Sequence, residues 1–168
     1  MKIRDLLWFL VYPIYQLIGT FRHEASHAIM AILHGAKIEE FVFLPIFKQG
    51  ERVAWGFVRW SGSTNWLTLA APYFCDLITF GVFFWICYRV SFSRRWIWLN
   101  LVIIGMLSPV INSAYNYSGI FHGTNDVGRL AKALPGYSVH IYFIFTFILY
   151  IIGLVLVFRF SQTASDRA

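Results

Sequence analysis

Four long apolar stretches alternate with shorter, more polar connectors along this chain. Residues 6–33, 66–88, 96–117 and 139–160 are each predominantly apolar. A helix of about 20 such residues, rising 1.5 Å per residue, is long enough to cross a bilayer. The pattern predicts four transmembrane helices, with Gly35 placed to cap the end of the first. Trp66, Tyr88, Trp96, Trp98, Tyr137 and Tyr142 fall near span ends, where amphipathic rings sit at the membrane–water interface. Lys2 and Arg4 precede the first apolar run, as in a secretory signal. No small-residue cleavage site comes after it, and the run continues past Gly19, so a retained span is expected.

The connectors carry patterns of their own. Ile38 to Phe47 is rich in β-branched and aromatic residues, Gln49-Gly50 is a turn signal, and Val53, Trp55 and Phe57 alternate within Arg52–Trp60. Those features predict a β-hairpin, and its aromatic content places it at the interface. In connector 118–138, Thr124 is placed to cap a short helix broken at Pro135. Asp126 then falls in the first turn, where the helix dipole favours a carboxylate. Internal repeats and a separate soluble domain are not evident. The expected fold is a single all-α integral membrane domain over residues 1–168: four transmembrane helices with an interfacial β-hairpin between the first and second.

Composition sharpens this picture. The chain of 168 residues is 58% hydrophobic and only 13% charged, against about 25% charged in soluble domains. Such a chain cannot cover a water-facing surface with polar groups, and it is too apolar to be disordered. The net charge of +6 fits basic residues flanking membrane spans. No Lys/Arg run with interleaved aromatics is present, so no nucleic-acid partner is expected; the expected surroundings are the lipid bilayer. With both termini on one side, Lys and Arg number 7 there and 6 on the hairpin side. That balance does not orient the protein. Cys75 and Cys87 form neither a disulfide framework nor a CxxC pair.

The chemistry is concentrated in His23-Glu24-Ala25-Ser26-His27. This is HExxH on a predicted helix. Histidines four apart project from one face, so both imidazoles can chelate one Zn²⁺, with Glu24 beside them as general base. Ionisable residues inside a span are costly, about 2.5–3.5 kcal/mol each at the bilayer centre for charged groups, and are functional by default. The bland reading is a polar network between helices without metal. A catalytic zinc takes three protein ligands and keeps one position open, and the motif supplies two. His34 lies about 10 Å further along the axis while helical. Asp76, in the second span, can ligate or can pair with Arg22. Asp126 shares the membrane side toward which HExxH is displaced, and topology favours it; Asp76 stays open as the alternative.

The order of features resembles the site-2 protease family of intramembrane zinc metalloproteases: HExxH in a membrane helix, a β-rich interfacial connector, two spans and a distal Asp. The stretch Gly123-Thr124-Asn125-Asp126-Val127-Gly128-Arg129-Leu130 is similar to its small bacterial-type branch. The resemblance spans roughly residues 6–134. It implies His23, His27 and Asp126 as zinc ligands and Glu24 as the catalytic carboxylate. It also implies membrane-protein substrates with a transmembrane segment, cleaved within or near the bilayer. The implied location is the inner membrane of a bacterial-type cell, with the hairpin side cytosolic. The sequence departs from better-known members in having Ser108-Pro109-Val110-Ile111-Asn112 in place of an Asn-Pro-rich segment, and Val127 rather than Gly after Asp126.

Two further groups are candidates for handling a substrate. Asn112 and Asn116 share a helix face; their amides can hold a substrate backbone or a developing oxyanion, or can simply bond between helices. The hairpin, through Val53, Trp55 and Phe57, can accept an unwound substrate as an added strand, or can serve only as an anchor. Ser63, Ser108 and Cys75 lack the Gly-x-Ser-x-Gly setting of an activated nucleophile. Readings outside catalysis are a membrane protein that binds zinc for sensing or transport, and an inactive protease-like scaffold. Clustering of the ligands at one depth beside Glu24 favours the enzyme.

Overall fold

The computed structural model describes residues 10, 12–46, 55–122 and 125–165. Helix α1 spans Tyr12–Leu33, strand β1 Lys37–Val42, strand β2 Phe57–Ser61 and helix α2 Trp66–Arg89. Helix α3, Arg95–Val102, runs through a π-helical turn at Ile103–Leu107 into α4, Ser108–Ser118, and a short 3₁₀ turn at Gly119–His122. Helix α5 is Asp126–Ala133 and α6 is Gly136–Ser165.

Three helical stretches are long and apolar enough to cross a membrane, Trp66–Arg89, Arg95–Phe121 and Gly136–Arg159. They correspond to the second, third and fourth expected spans. Helix α1 is not among them, so four spans are not established. Gln16, Arg22, His23, Glu24 and His27 dilute its apolar content, and most of the expected start at residues 6–11 lies outside the described residues. The burial pattern of α1 is inverted relative to a soluble helix. Ile14, Ile18, Phe21, Ile29 and Ile32 are exposed, while Thr20, His23, Glu24 and His27 are buried. Polar groups facing a bundle interior are the arrangement expected of a helix in lipid.

The end of α1 is a Schellman turn. Ala36 donates its N–H to the Ala31 carbonyl at 3.0 Å and Gly35 donates to Ile32 at 2.8 Å, with Gly35 at φ 83°. That geometry needs a residue without a Cβ, which explains the glycine. The chain then enters the hairpin, whose antiparallel register pairs Ile38 with Trp60, Glu40 with Arg59 and Val42 with Phe57, with an irregularity between Ile38 and Glu40. The expected turn at Gln49-Gly50 and Val53 lie outside the described residues.

The π turn has a local cause. Pro109 has no N–H to return to Gly105, and Ser108 donates instead to the Ile103 carbonyl, five residues back. One extra residue in a turn rotates the downstream helix by about 100° relative to an unbroken α-helix. Around it the core is tightly apposed. Val102, Ile103 and Met106 are fully buried, and a Cβ on Gly105 would stand 1.9 Å from Cγ of Phe83 and 2.3 Å from its Cβ. The clash reaches the Cβ of Phe83, which no change of rotamer moves. Gly105→Ala is expected to destabilise the fold by about 1–3 kcal/mol, the cost of overpacking, measurable as a lower unfolding temperature in detergent.

Candidate metal centre

Both histidines of the motif point inward from α1. His23 and His27 are buried, their rings edge to face with centroids 4.9 Å apart. Asp126 reaches them from α5: its Oδ2 is 3.6 Å from His23 Nε2 and 3.1 Å from His27 Nε2. Ligand atoms from these three residues lie within 4.8 Å of one another, and they are the one such set among the described residues.

The donor chemistry is that of a cation site. His27 Nδ1 is 2.7 Å from the Thr68 carbonyl, which can only accept. Nδ1 therefore carries a proton, and Nε2 faces a carboxylate oxygen. Two acceptors 3.1 Å apart require a proton or a metal ion between them. Zinc takes ligands at about 2.0–2.1 Å in a tetrahedron, which sets them about 3.3 Å apart; the observed 3.1 and 3.6 Å bracket that spacing. The residues present fit zinc. Burial alone would raise the Asp126 carboxyl, but hydrogen bonds and charge from His23 and His27 outweigh it and hold it well below the usual carboxylate range. Asp126 stays ionised, as a ligand must.

Asp126 is held in place by the residue before it. The Asn125 side chain, not Thr124, caps α5: it accepts from Gly128 N–H at 2.9 Å, and its amide donates to the Asn116 carbonyl at 2.6 Å. Thr124 lies outside the described residues. Val127 and Leu130 anchor the helix in a buried cluster with Leu69, Tyr73 and Phe143. Asn125→Ala removes both bonds. Loss of a cap costs about 1 kcal/mol, so zinc affinity is expected to fall roughly fivefold and the amides of α5 to exchange faster.

The remaining candidates are placed elsewhere. Asp76 is buried on Arg22, whose Nε and Nη2 donate to its Oδ1 at 3.0 and 2.7 Å. It is thus the partner of Arg22 rather than the third member of the histidine cluster. His34 Nδ1 meets Thr68 Oγ1 at 3.2 Å. The Asn112 amide is engaged inside the bundle, 2.6 Å from Asp76 Oδ2 and 3.1 Å from His23 Nδ1. Asn116 donates to the Asn112 carbonyl and to Asn112 Oδ1 at 3.0 and 3.1 Å. Glu24 is buried, 7% exposed, next along the helix from His23.

On the hairpin, alternation sorts the faces. Trp60 lies against His27, ring centroids 6.2 Å apart, while the Arg59 guanidinium covers the Phe57 ring at 5.1 Å. Phe57 is therefore on the face opposite Trp60, and Trp55 is exposed. A Cβ on Gly56 would meet the Thr20 methyl at 2.6 Å, the Val42 carbonyl at 2.9 Å and Glu24 Cγ at 3.1 Å. Gly56, Trp60, Thr68 and Asn125 were not singled out by the sequence. Gly56, just before β2, and Trp60 within it stand at even-numbered positions, whereas the apolar alternation in the sequence marks odd-numbered ones, Val53, Trp55 and Phe57. A close backbone approach such as that of Gly56 leaves no sequence signal.

A mostly helical chain with three helices long and apolar enough to cross a membrane, and a His₂Asp cluster beside a glutamate that could hold a metal ion, defines a class, a membrane protein with a candidate metal centre. Residues 5–124 match the Peptidase M50B-like family, and the chain belongs to that family, the site-2 protease family. The match includes HExxH and stops two residues short of Asp126; Asp126 joins the site on geometry. Searches of curated proteins and of solved structures returned no match.

Proposed function

We propose that this chain is an intramembrane zinc metalloprotease that hydrolyses peptide bonds of membrane-protein substrates within or near the bilayer. The observation that carries this reading is the convergence of His23 Nε2, His27 Nε2 and Asp126 Oδ2 beside Glu24. His23, His27 and Asp126 would hold the ion. Bound there, zinc supplies Lewis acidity, polarising a carbonyl and making water more acidic. Glu24 accepts the proton from the attacking water and delivers it to the leaving amine nitrogen. Burial of the histidines and of Glu24 keeps bulk solvent from competing. Helix α1, with apolar residues outward and polar residues inward, acts as a fourth membrane element.

A helical substrate must unwind first, because its carbonyls are hydrogen-bonded and shielded. The described hairpin is a two-stranded sheet, which leaves an unpaired edge that an extended segment can join. Gly56 lies close to Thr20 and Glu24 of α1, and the Trp60 ring lies against His27, which brings β2 near the candidate centre.

The test is reconstitution of the full chain in lipid vesicles with synthetic membrane-spanning peptides. Cleavage that needs zinc, stops with a chelator and returns on zinc addition supports the reading. A protein that binds zinc under these conditions and cuts no peptide is instead a metal-binding or scaffold member of the family.

A further inference from the structure

One polar chain of contacts lies behind the metal centre and takes no part in the proton transfers assigned to Glu24. It runs from Arg22 on α1 through Asp76 on α2 to Asn112 on α4 and ends at Nδ1 of His23. Asp76 is 1% exposed and the Arg22 side chain 14%. Both Arg22 bonds go to Asp76 Oδ1, which leaves Oδ2 for the Asn112 amide. Asn116 holds the other side of that amide, at Oδ1. The amide is thus gripped on both sides before it meets the histidine ring.

A buried ion pair is a poor device for stability alone. Well-packed apolar residues of similar volume hold a core as well or better. Inside a membrane protein, ionisable residues are costly and mark function. The one end of this chain that meets the centre is the ring nitrogen of His23 turned away from Asp126. Metal-binding histidines depend on a partner at that second nitrogen for ring orientation and tautomer. The Asn112 amide nitrogen, held by its bond to Asp76, stands 3.1 Å from Nδ1 of His23 and restricts rotation of the ring. His27 has its own partner, the Thr68 carbonyl.

We infer that Arg22, Asp76 and Asn112 form a positioning set that fixes the His23 ring for metal binding. The π turn belongs to the same device: the rotation it introduces ahead of α4 accompanies the inward placement of Asn112. This assignment rests on the reading that His23, His27 and Asp126 hold a metal, and it gives Asp76 a role other than ligand.

The test is Co²⁺ titration of the purified full chain in detergent, monitored by visible absorption, with thermal unfolding measured in parallel. The variants are Asn112→Leu and the double replacement Arg22→Met with Asp76→Leu. The double variant exchanges the ion pair for apolar side chains, which a merely structural pair tolerates. Wild type is expected to bind one Co²⁺ per chain. Both variants are expected to unfold near the wild-type temperature yet bind Co²⁺ about 10–100-fold more weakly, the cost of losing a supporting contact to a metal ligand. Affinity equal to wild type in folded variants would overturn the assignment. If the double variant does not fold, Asn112→Leu decides alone. Absence of Co²⁺ binding by wild type would instead overturn the metal reading, a failure distinguishable from the first.

Discussion

Glu24→Gln is expected to slow peptide cleavage severely while leaving the metal in place. Gln keeps the size and shape of the side chain but cannot take a proton from water. Positioned general bases contribute about 10²–10⁴-fold to rate, so cleavage should fall by that factor. Glu24 is not among the three clustered ligands, so zinc content should stay at the wild-type level. The pairing of lost turnover with retained metal is the discriminating result. Zinc loss in the same variant would make Glu24 a ligand. An unchanged rate would remove it from the mechanism.

Asp126→Ala is expected to cost the protein its zinc. The two imidazoles remain on α1, but the anion that both Nε2 atoms face is gone. Two neutral donors make an incomplete site, since zinc sites supply at least three protein ligands. Affinity should drop by more than the roughly 10–100-fold expected for loss of a supporting contact. The fold should survive, because Asp126 is partly exposed and the anchors of α5, Val127 and Leu130, are untouched. Isothermal titration with zinc beside a thermal unfolding curve measures both. His27→Ala should behave alike for metal. Asp76→Ala separates ligand from positioning residue: it should weaken binding less than Asp126→Ala does.

The sequence was most informative where a periodicity or a motif is local. HExxH places its histidines one turn apart on any helix, and α1 carries them inward as that spacing requires. Gly35 was legible as a cap because a left-handed residue after a helix is nearly always glycine. Helices α2 and α6 come from unbroken apolar runs. Legibility ends where a feature depends on an approach from elsewhere in the chain. The first expected span is the main example: α1 has the expected place, but its inward polar face makes its composition too mixed to qualify. Asn125 caps α5 because its amide also reaches Asn116, a contact between segments that sequence does not display. Asp76 and Asp126 were both acidic candidates for one ion, and the choice between them turns on Arg22, which captures the first. Asn112 and Asn116 do share a face, but that face looks at His23 and Asp76 within the bundle.

The zinc content of the purified wild-type chain, measured by elemental analysis beside His27→Ala and Asp126→Ala, tests the central claim most directly. It needs no knowledge of the substrate. One zinc per wild-type chain, lost in both variants, is the result predicted for a centre built from His23, His27 and Asp126. Wild-type protein that holds no zinc even after zinc is supplied would contradict it, leaving the buried histidines as part of a polar network between helices.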